Sequence, residues 1–175
     1  MKDKSINPTD QERVMREDDF IVSKTDLSGK ITYANRIFLE FAGYSEDQLL
    51  GMQHNIIRHP DMPRAVFKLL WDGIRQKQEI FAYVKNLASD GSFYWVFAHV
   101  TPDYDAMGNV SGYLSVRRKP RLDAIAVITD VYRRMLEIEK QRGVKQGMGD
   151  STQFLLDLLD EKGASYEEFV LDLQG

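Results

Sequence analysis

The chain has 175 residues, enough for one domain with extensions, and its 43% hydrophobic and 29% charged composition excludes disorder throughout. It contains no cysteine, which excludes disulfides, thiolate metal sites, cysteine-ligated iron–sulfur clusters and cysteinyl-adduct chemistry. A net charge of −4 argues against nucleic acid as a partner. No run approaches the roughly 18 apolar residues that span a bilayer, and the polar start has no signal segment, so a cytoplasmic protein without a membrane span is expected.

Residues 1–19 are polar and read as an N-terminal cap, with a short helix expected over Thr9–Arg16. Phe20–Thr25 and Lys30–Tyr33 form a hairpin around the turn Asp26-Leu27-Ser28-Gly29. Asn35–Ala42 has Phe38 and Phe41 on one helical face and ends at Gly43; Ser45 opens a further helical turn that closes at Gly51. Next comes the most informative stretch of the chain, His54-Asn55-Ile56-Ile57-Arg58-His59-Pro60-Asp61. It concentrates two histidines, an arginine, an aspartate and an amide, and the prolines at 60 and 63 set up a new helix. That helix, Arg64–Gln76, carries Val66, Phe67, Leu70, Trp71 and Ile74 at helical spacing.

The hydrophobic period then shortens to two. Glu79–Leu87, Phe93–Thr101 and Val110–Arg118 read as antiparallel strands joined by turns at Ser89–Ser92 and Asp105–Asn109. Leu122–Gln141 is an amphipathic helix with Ile125, Ile128, Val131 or Tyr132, Met135 and Ile138 on its stripe; that stripe packs on the sheet or on a twin helix in a dimer. The three glycines of Gly143–Gly149 read as a linker, and the short amphipathic pieces Phe154–Leu159 and Tyr166–Leu173 follow. From Gly149 onward seven acids face one base, so the tail reads as a separate acidic unit, dispensable for any ligand the rest of the chain binds. The fold class is α+β: a five-stranded antiparallel sheet with helices on one face, an N-terminal cap and C-terminal helices. The division is 1–19 cap, 20–120 central domain, 121–142 amphipathic helix and 143–175 linker and acidic helical tail.

The order from Phe20 to Arg118 resembles a PAS domain. The resemblance rests on Asp26-Leu27-Ser28-Gly29-Lys30-Ile31-Thr32-Tyr33-Ala34-Asn35, on Gly43-Tyr44-Ser45-Glu46-Asp47-Gln48-Leu49-Leu50-Gly51, and on Asp90-Gly91-Ser92-Phe93-Tyr94-Trp95-Val96. A narrower resemblance is to the aerotaxis, or energy-taxis, branch of PAS proteins. It is carried by positions 54–63, by Val84-Lys85-Asn86 and by Gly112-Tyr113-Leu114-Ser115-Val116-Arg117. That branch holds FAD non-covalently and reports its redox state. In its split form, a soluble PAS protein works beside a separate membrane-bound chemotaxis signalling protein, and this chain resembles the soluble half. The resemblance thus implies a redox sensor with no substrate turnover, membrane-associated only through its partner.

Flavin binding requires apolar and aromatic walls with a few polar groups at the ring heteroatoms. By resemblance, Arg58, His59 and Asp61 are the positions that hold FAD. Asn35 and Asn86 match polar positions of the pocket, and Phe67, Trp71 and Trp95 match aromatic ones. His54 and Asn55, from the same stretch, complete the candidate set. Plainer readings stand beside these: a purely structural corner for Arg58–Asp61, core packing for Trp71 and Trp95, a satisfied core or edge residue for His99, and a solvated strand end for Arg117-Arg118-Lys119. Two other functions stay open. A haem-binding PAS gas sensor needs one proximal histidine. A ligand-free PAS docking module, with a PAS homodimer as one form, needs only surfaces. No paired-carboxylate site, nucleophile–base pairing or phosphate loop marks an enzyme.

Overall fold

The computed structural model describes residues 6–175. The first five residues of the cap lie outside the described residues.

Five strands form one antiparallel sheet: β1 (Ile21–Asp26), β2 (Ile31–Ala34), β3 (Ile80–Leu87), β4 (Phe93–Tyr104) and β5 (Val110–Arg118), in the order β2-β1-β5-β4-β3. The β1–β2 turn is built by Asp26, whose Oδ1 accepts from the Ser28 and Lys30 N–H groups at 2.8 and 2.9 Å, with Gly29 at φ 82°. Asp90 does the same for β3–β4, accepting the Ser92 N–H at 3.0 Å.

Three helices and a 3-10 turn cover one face between β2 and β3. They are α1 (Arg36–Ala42), α2 (Glu46–Leu49), the 3-10 turn His54–Ile57 and α3 (Arg64–Arg75). Strand pleating puts Ser23, Val84, Asn86, Val96, Ala98, Ser115 and Arg117 on this inner face. The outer face carries Tyr83, Trp95, Phe97 and His99 along β3 and β4. It is covered by α4 (Leu122–Arg142) and α6 (Tyr166–Gln174). Tyr132 of α4 donates its hydroxyl to the Tyr83 carbonyl at 2.8 Å, and the Tyr83 hydroxyl reaches Gln174 of α6 at 3.0 Å.

Three expected features differ. Thr9–Arg16 is extended, not helical: the Thr9 and Arg13 N–H groups donate to Gly91 and Phe93 carbonyls, both at 2.8 Å. Arg13 also pairs with Asp90 at 2.6 Å, so the segment is held as an edge strap on the β3–β4 turn. Nor is Gly143–Gly149 a loose linker. Gly143 makes a sharp turn at φ 76°, and the rest lies in α5 (Val144–Lys162). A Cβ on Gly147 would sit 2.8 Å from the Glu139 backbone. These glycines therefore permit a tight α4–α5 hairpin. The acidic tail is also part of the core: Leu155, Leu159, Phe169 and Val170 are buried with the sheet residues.

Candidate functional site

A cavity of about 170 Å³ lies between the inner face of the sheet and the α3/3-10 layer. Ala98, in the middle of β4 and opposite Arg117 of β5, lines it from the sheet side. The helix α3 supplies Phe67, Leu70, Trp71 and Ile74, one apolar stripe of an amphipathic helix. Trp71 lies over Gly29, where a Cβ would meet the indole at 3.0 Å, and packs edge-on against Tyr113.

The polar groups at this cavity form a chain. Arg117 is 2% exposed and donates through Nη2 to the Ser23 hydroxyl. The Ser23 Oγ lies 3.1 Å from His54 Nε2. Guanidinium can only donate, so Ser23 accepts from it and turns its own proton to Nε2, which makes the neutral Nδ1–H tautomer of His54 the fitting one. Burial, helped by the Arg117 charge, pushes the His54 pKa down to about 3, so the ring is neutral at physiological pH. Burial also lowers the Arg117 pKa, to about 10, which still leaves it fully charged at pH 7. Its guanidinium lies 4.5 Å from the Phe38 ring centroid.

Arg117 makes no ion pair among the described residues, and its Nε and Nη1 have no hydrogen-bond partner there. Asn86, 3% exposed on β3, likewise leaves its Nδ2 without one. Both residues line the cavity. A buried cation and a buried amide with unspent donors are costly, and natural structures seldom leave them so without a ligand or ordered water.

The candidate residues from the sequence divide into three groups. His54, Asn55, Arg58, Phe67, Trp71 and Asn86 line the cavity. Arg58 donates to the Met62 carbonyl at 2.8 Å, stacks on Phe67 at 4.4 Å and bridges to Asn86 through the backbone. His59 and Asp61 stand behind it. His59 Nδ1 accepts the Asp61 N–H at 3.1 Å, and Asp61 pairs with Lys85 at 2.7 Å. They shape the corner and do not reach the inner cavity. Asn35 and Trp95 lie elsewhere. The Asn35 carboxamide caps α1, accepting the Phe38 and Val22 N–H groups at 3.0 Å each. Trp95 is on the outer face, stacked on Tyr132 at 6.3 Å. Strand parity decides this: Trp95 pairs with Lys85, one residue out of step with Asn86.

Arg117 is not the solvated strand end that the Arg117-Arg118-Lys119 run suggests but a cation only 2% exposed at the site. The alternation Tyr113, Ser115, Arg117 against exposed Arg118 carries the signal that identifies it. Ser23 had no comparable signal, because its role comes from the β1–β5 register alone, Ser23 opposite Ser115.

A second, wider groove of about 560 Å³ adjoins the cavity and shares Asn55 and Arg58 with it. Its other walls are His59, Arg64 and the α4–α5 junction with Glu139, Lys140, Gly143 and Val144. Glu139 is engaged there: its two carboxylate oxygens accept the Arg64 and Ala65 N–H groups at 3.0 Å each, capping α3 from another helix.

Residues 31–117 match the family model described as the PAS fold. The fold is that of a PAS domain. Over 140 residues, 80% of this chain and 28% of the other, it is 33% identical to the aerotaxis receptor of Escherichia coli K12. Over 97 residues, 55% of this chain and 20% of the other, it is 33% identical to the nitrogen fixation regulatory protein of Klebsiella pneumoniae. The chain thus spans under a third of the length of these relatives. Among solved structures, the light state of the blue-light photoreceptor Aureochrome1 LOV superposes with a TM-score of 0.54. It is 29% identical, and the match covers 65% of this chain and 90% of that one. No helix among the described residues is long and apolar enough to cross a membrane. No group of three or more His, Asp or Glu among them is placed to hold a metal ion.

Proposed function

We propose that this PAS domain is a redox sensor that binds FAD non-covalently and signals energy or oxygen status to a separate, membrane-bound chemotaxis transducer from the cytoplasm. One observation carries the reading: a buried guanidinium (Arg117) and a buried amide (Asn86) line an aromatic-walled cavity, and Arg117 Nε and Nη1 and Asn86 Nδ2 have no hydrogen-bond partner among the described residues. A planar ring with acceptor atoms along one edge satisfies both. Similarity to the aerotaxis receptor supports the choice of flavin over other heteroaromatics.

When bound, the flavin supplies reversible electron acceptance, with negative charge growing on the ring on reduction. The chain's residues do the rest. Phe67, Trp71 and Leu70 wall the ring, Arg117 offers a fixed cation, and Asn86 offers its amide protons. Neutral His54 and Ser23 hold Arg117 in place without cancelling its charge. A rearranged hydrogen bond at Asn86 strains β3, and β3 touches α4 and α6 through Tyr83. Those helices are the route to the transducer; a differential of about 1–3 kcal/mol between redox states suffices for signalling.

The haem reading is less well supported. His54 Nε2 is engaged by Ser23, His59 is buried against Phe93, and His99 lies on the outer face stacked on Phe81 at 4.3 Å. The test is an absorbance spectrum of the purified protein, then denaturation and identification of the released chromophore. A two-banded yellow spectrum with released FAD supports the sensor reading. A Soret band replaces it with a haem sensor. A protein that stays colourless after reconstitution with either becomes a docking module, homodimeric or not.

A further inference from the structure

The inner cavity, about 170 Å³, is smaller than the roughly 300–1,000 Å³ of most ligand clefts. It suits a ring, not a dinucleotide. The groove beside it, about 560 Å³, supplies the missing room and opens from it at Asn55 and Arg58. Its charge is suited to an anion. Arg58, Arg64 and Lys140 line it against one carboxylate, Glu139, which is turned to the start of α3. Asp61 lies near enough to feel the Lys140 charge but pairs with Lys85 and does not line the groove.

We propose that the groove between the 54–64 corner and the α4–α5 junction holds the diphosphate and adenosine of FAD, with Lys140 and Arg64 as its cations. The inference rests on the flavin reading and deepens it. It makes α4 part of the ligand site and gives the chain a physical reason to prefer FAD to FMN and riboflavin. The ring enters beneath Trp71, the ribityl chain crosses the rim at Asn55 and Arg58, and the diphosphate meets the exposed Lys140 and Arg64 side chains. Gly143 and Val144, at the junction, line the groove on the side where the base would lie. The α4–α5 hairpin, held by Glu139 on α3, is thereby tied to ligand occupancy.

The test is a fluorescence titration of the flavin-free full chain with FAD, FMN and riboflavin, in the native protein and in Lys140→Glu. Lys140 is exposed and has no ion pair among the described residues, so the variant keeps the fold. The expected result is FAD at least tenfold tighter than riboflavin and severalfold tighter than FMN. Lys140→Glu then lowers FAD affinity three- to tenfold and leaves riboflavin unchanged. The native protein's FAD affinity also falls more steeply with salt than its riboflavin affinity. Equal affinity for all three flavins, with no effect of the variant or of salt, overturns the groove assignment and leaves the flavin reading standing. Failure of all three to bind overturns the flavin reading itself.

Discussion

Replacing Arg117 by Met separates a ligand-binding cation from a structural one, because the two roles predict opposite signs. In the flavin-free protein the burial of Arg117 lowers its pKa from 12.5 to about 10. The charged form is disfavoured in the folded state. That cost is therefore present in full below pH 10 and fades only as pH rises from about 10 to 12.5. At 1.36 kcal/mol per unit it amounts to roughly 3 kcal/mol at neutral pH. Against it stand one hydrogen bond to Ser23, about 1 kcal/mol, and the contact with Phe38, about 1 kcal/mol. Arg117→Met, similar in length and apolar, should thus stabilise the flavin-free protein by about 1 kcal/mol, or about 2–4 °C in Tm. The same change should weaken flavin affinity by about tenfold or more, the equivalent of one charge-assisted hydrogen bond. It should also lower the midpoint potential of the bound flavin, about 30 mV for each 1.4 kcal/mol lost from the two-electron reduced form. Denaturant unfolding of the flavin-free variant and flavin titration are the two assays. A variant destabilised by 1 kcal/mol or more, with flavin affinity intact, would refute the argument and make Arg117 a structural residue.

Three further outcomes follow from the geometry. Trp71→Ala should weaken flavin binding with modest loss of stability, whereas Trp95→Ala should cost about 3 kcal/mol of stability and leave ring affinity unchanged; the reverse pattern in titration and unfolding would put the ring on the outer face. Gly147→Ala should destabilise by about 1–3 kcal/mol, read as faster amide exchange in α4 and α5, because its Cβ meets the Glu139 backbone. His54 has its folded pKa depressed from 6.5 to about 3, so it contributes stability that is complete above pH 6.5 and lost as pH falls toward 3. His54→Gln should flatten stability across that window in unfolding titrations, and an unchanged slope would show that His54 is charged in the fold.

Local chemistry made most of the fold legible, and non-local register hid part of the site. The turns at Asp26–Gly29 and Asp90–Ser92 are written in residues that bond their own backbone, so their strands could be placed from the sequence. The stripe Phe67, Leu70, Trp71 and Ile74 was equally readable, because helical spacing alone puts it on one face. Trp95 was misplaced because a one-residue offset across the β3–β4 pair reverses its face, and the offset is not written in any single strand. Asn35 was assigned to the pocket although its place just before a helix is itself a capping signal. Gly143–Gly149 misled for another reason. Glycine marks both flexibility and close approach, and only the packing partner, Glu139, tells which.

On the proposed sensor reading, β3 is the element that connects the cavity to the outer helices. It is an edge strand of the sheet, so one of its sides is not tied to another strand. That side meets the corner instead, through the Arg58–Asn86 bridge, and the Lys85–Asp61 pair repeats the link one residue away. On the outer face the same strand receives Tyr132 of α4 at the Tyr83 carbonyl and sends the Tyr83 hydroxyl to Gln174 of α6. Four residues, Tyr83 to Asn86, thus touch the cavity, the corner and both outer helices. A central strand, bonded on both sides, would resist the displacement that a changed ligand contact asks of it. An edge strand held on that side by a single bridge has fewer bonds to oppose such a displacement, and allosteric couplings are typically about 1–3 kcal/mol. Glu139 gives α3 a second connection to α4 beside the same corner. On the proposed reading, α4 is linked to the site at two points, and Tyr132→Phe removes one of them without touching the cavity. That variant should bind flavin normally and lose the redox-dependent change in α4 amide exchange; if the change persists, the route runs through Glu139.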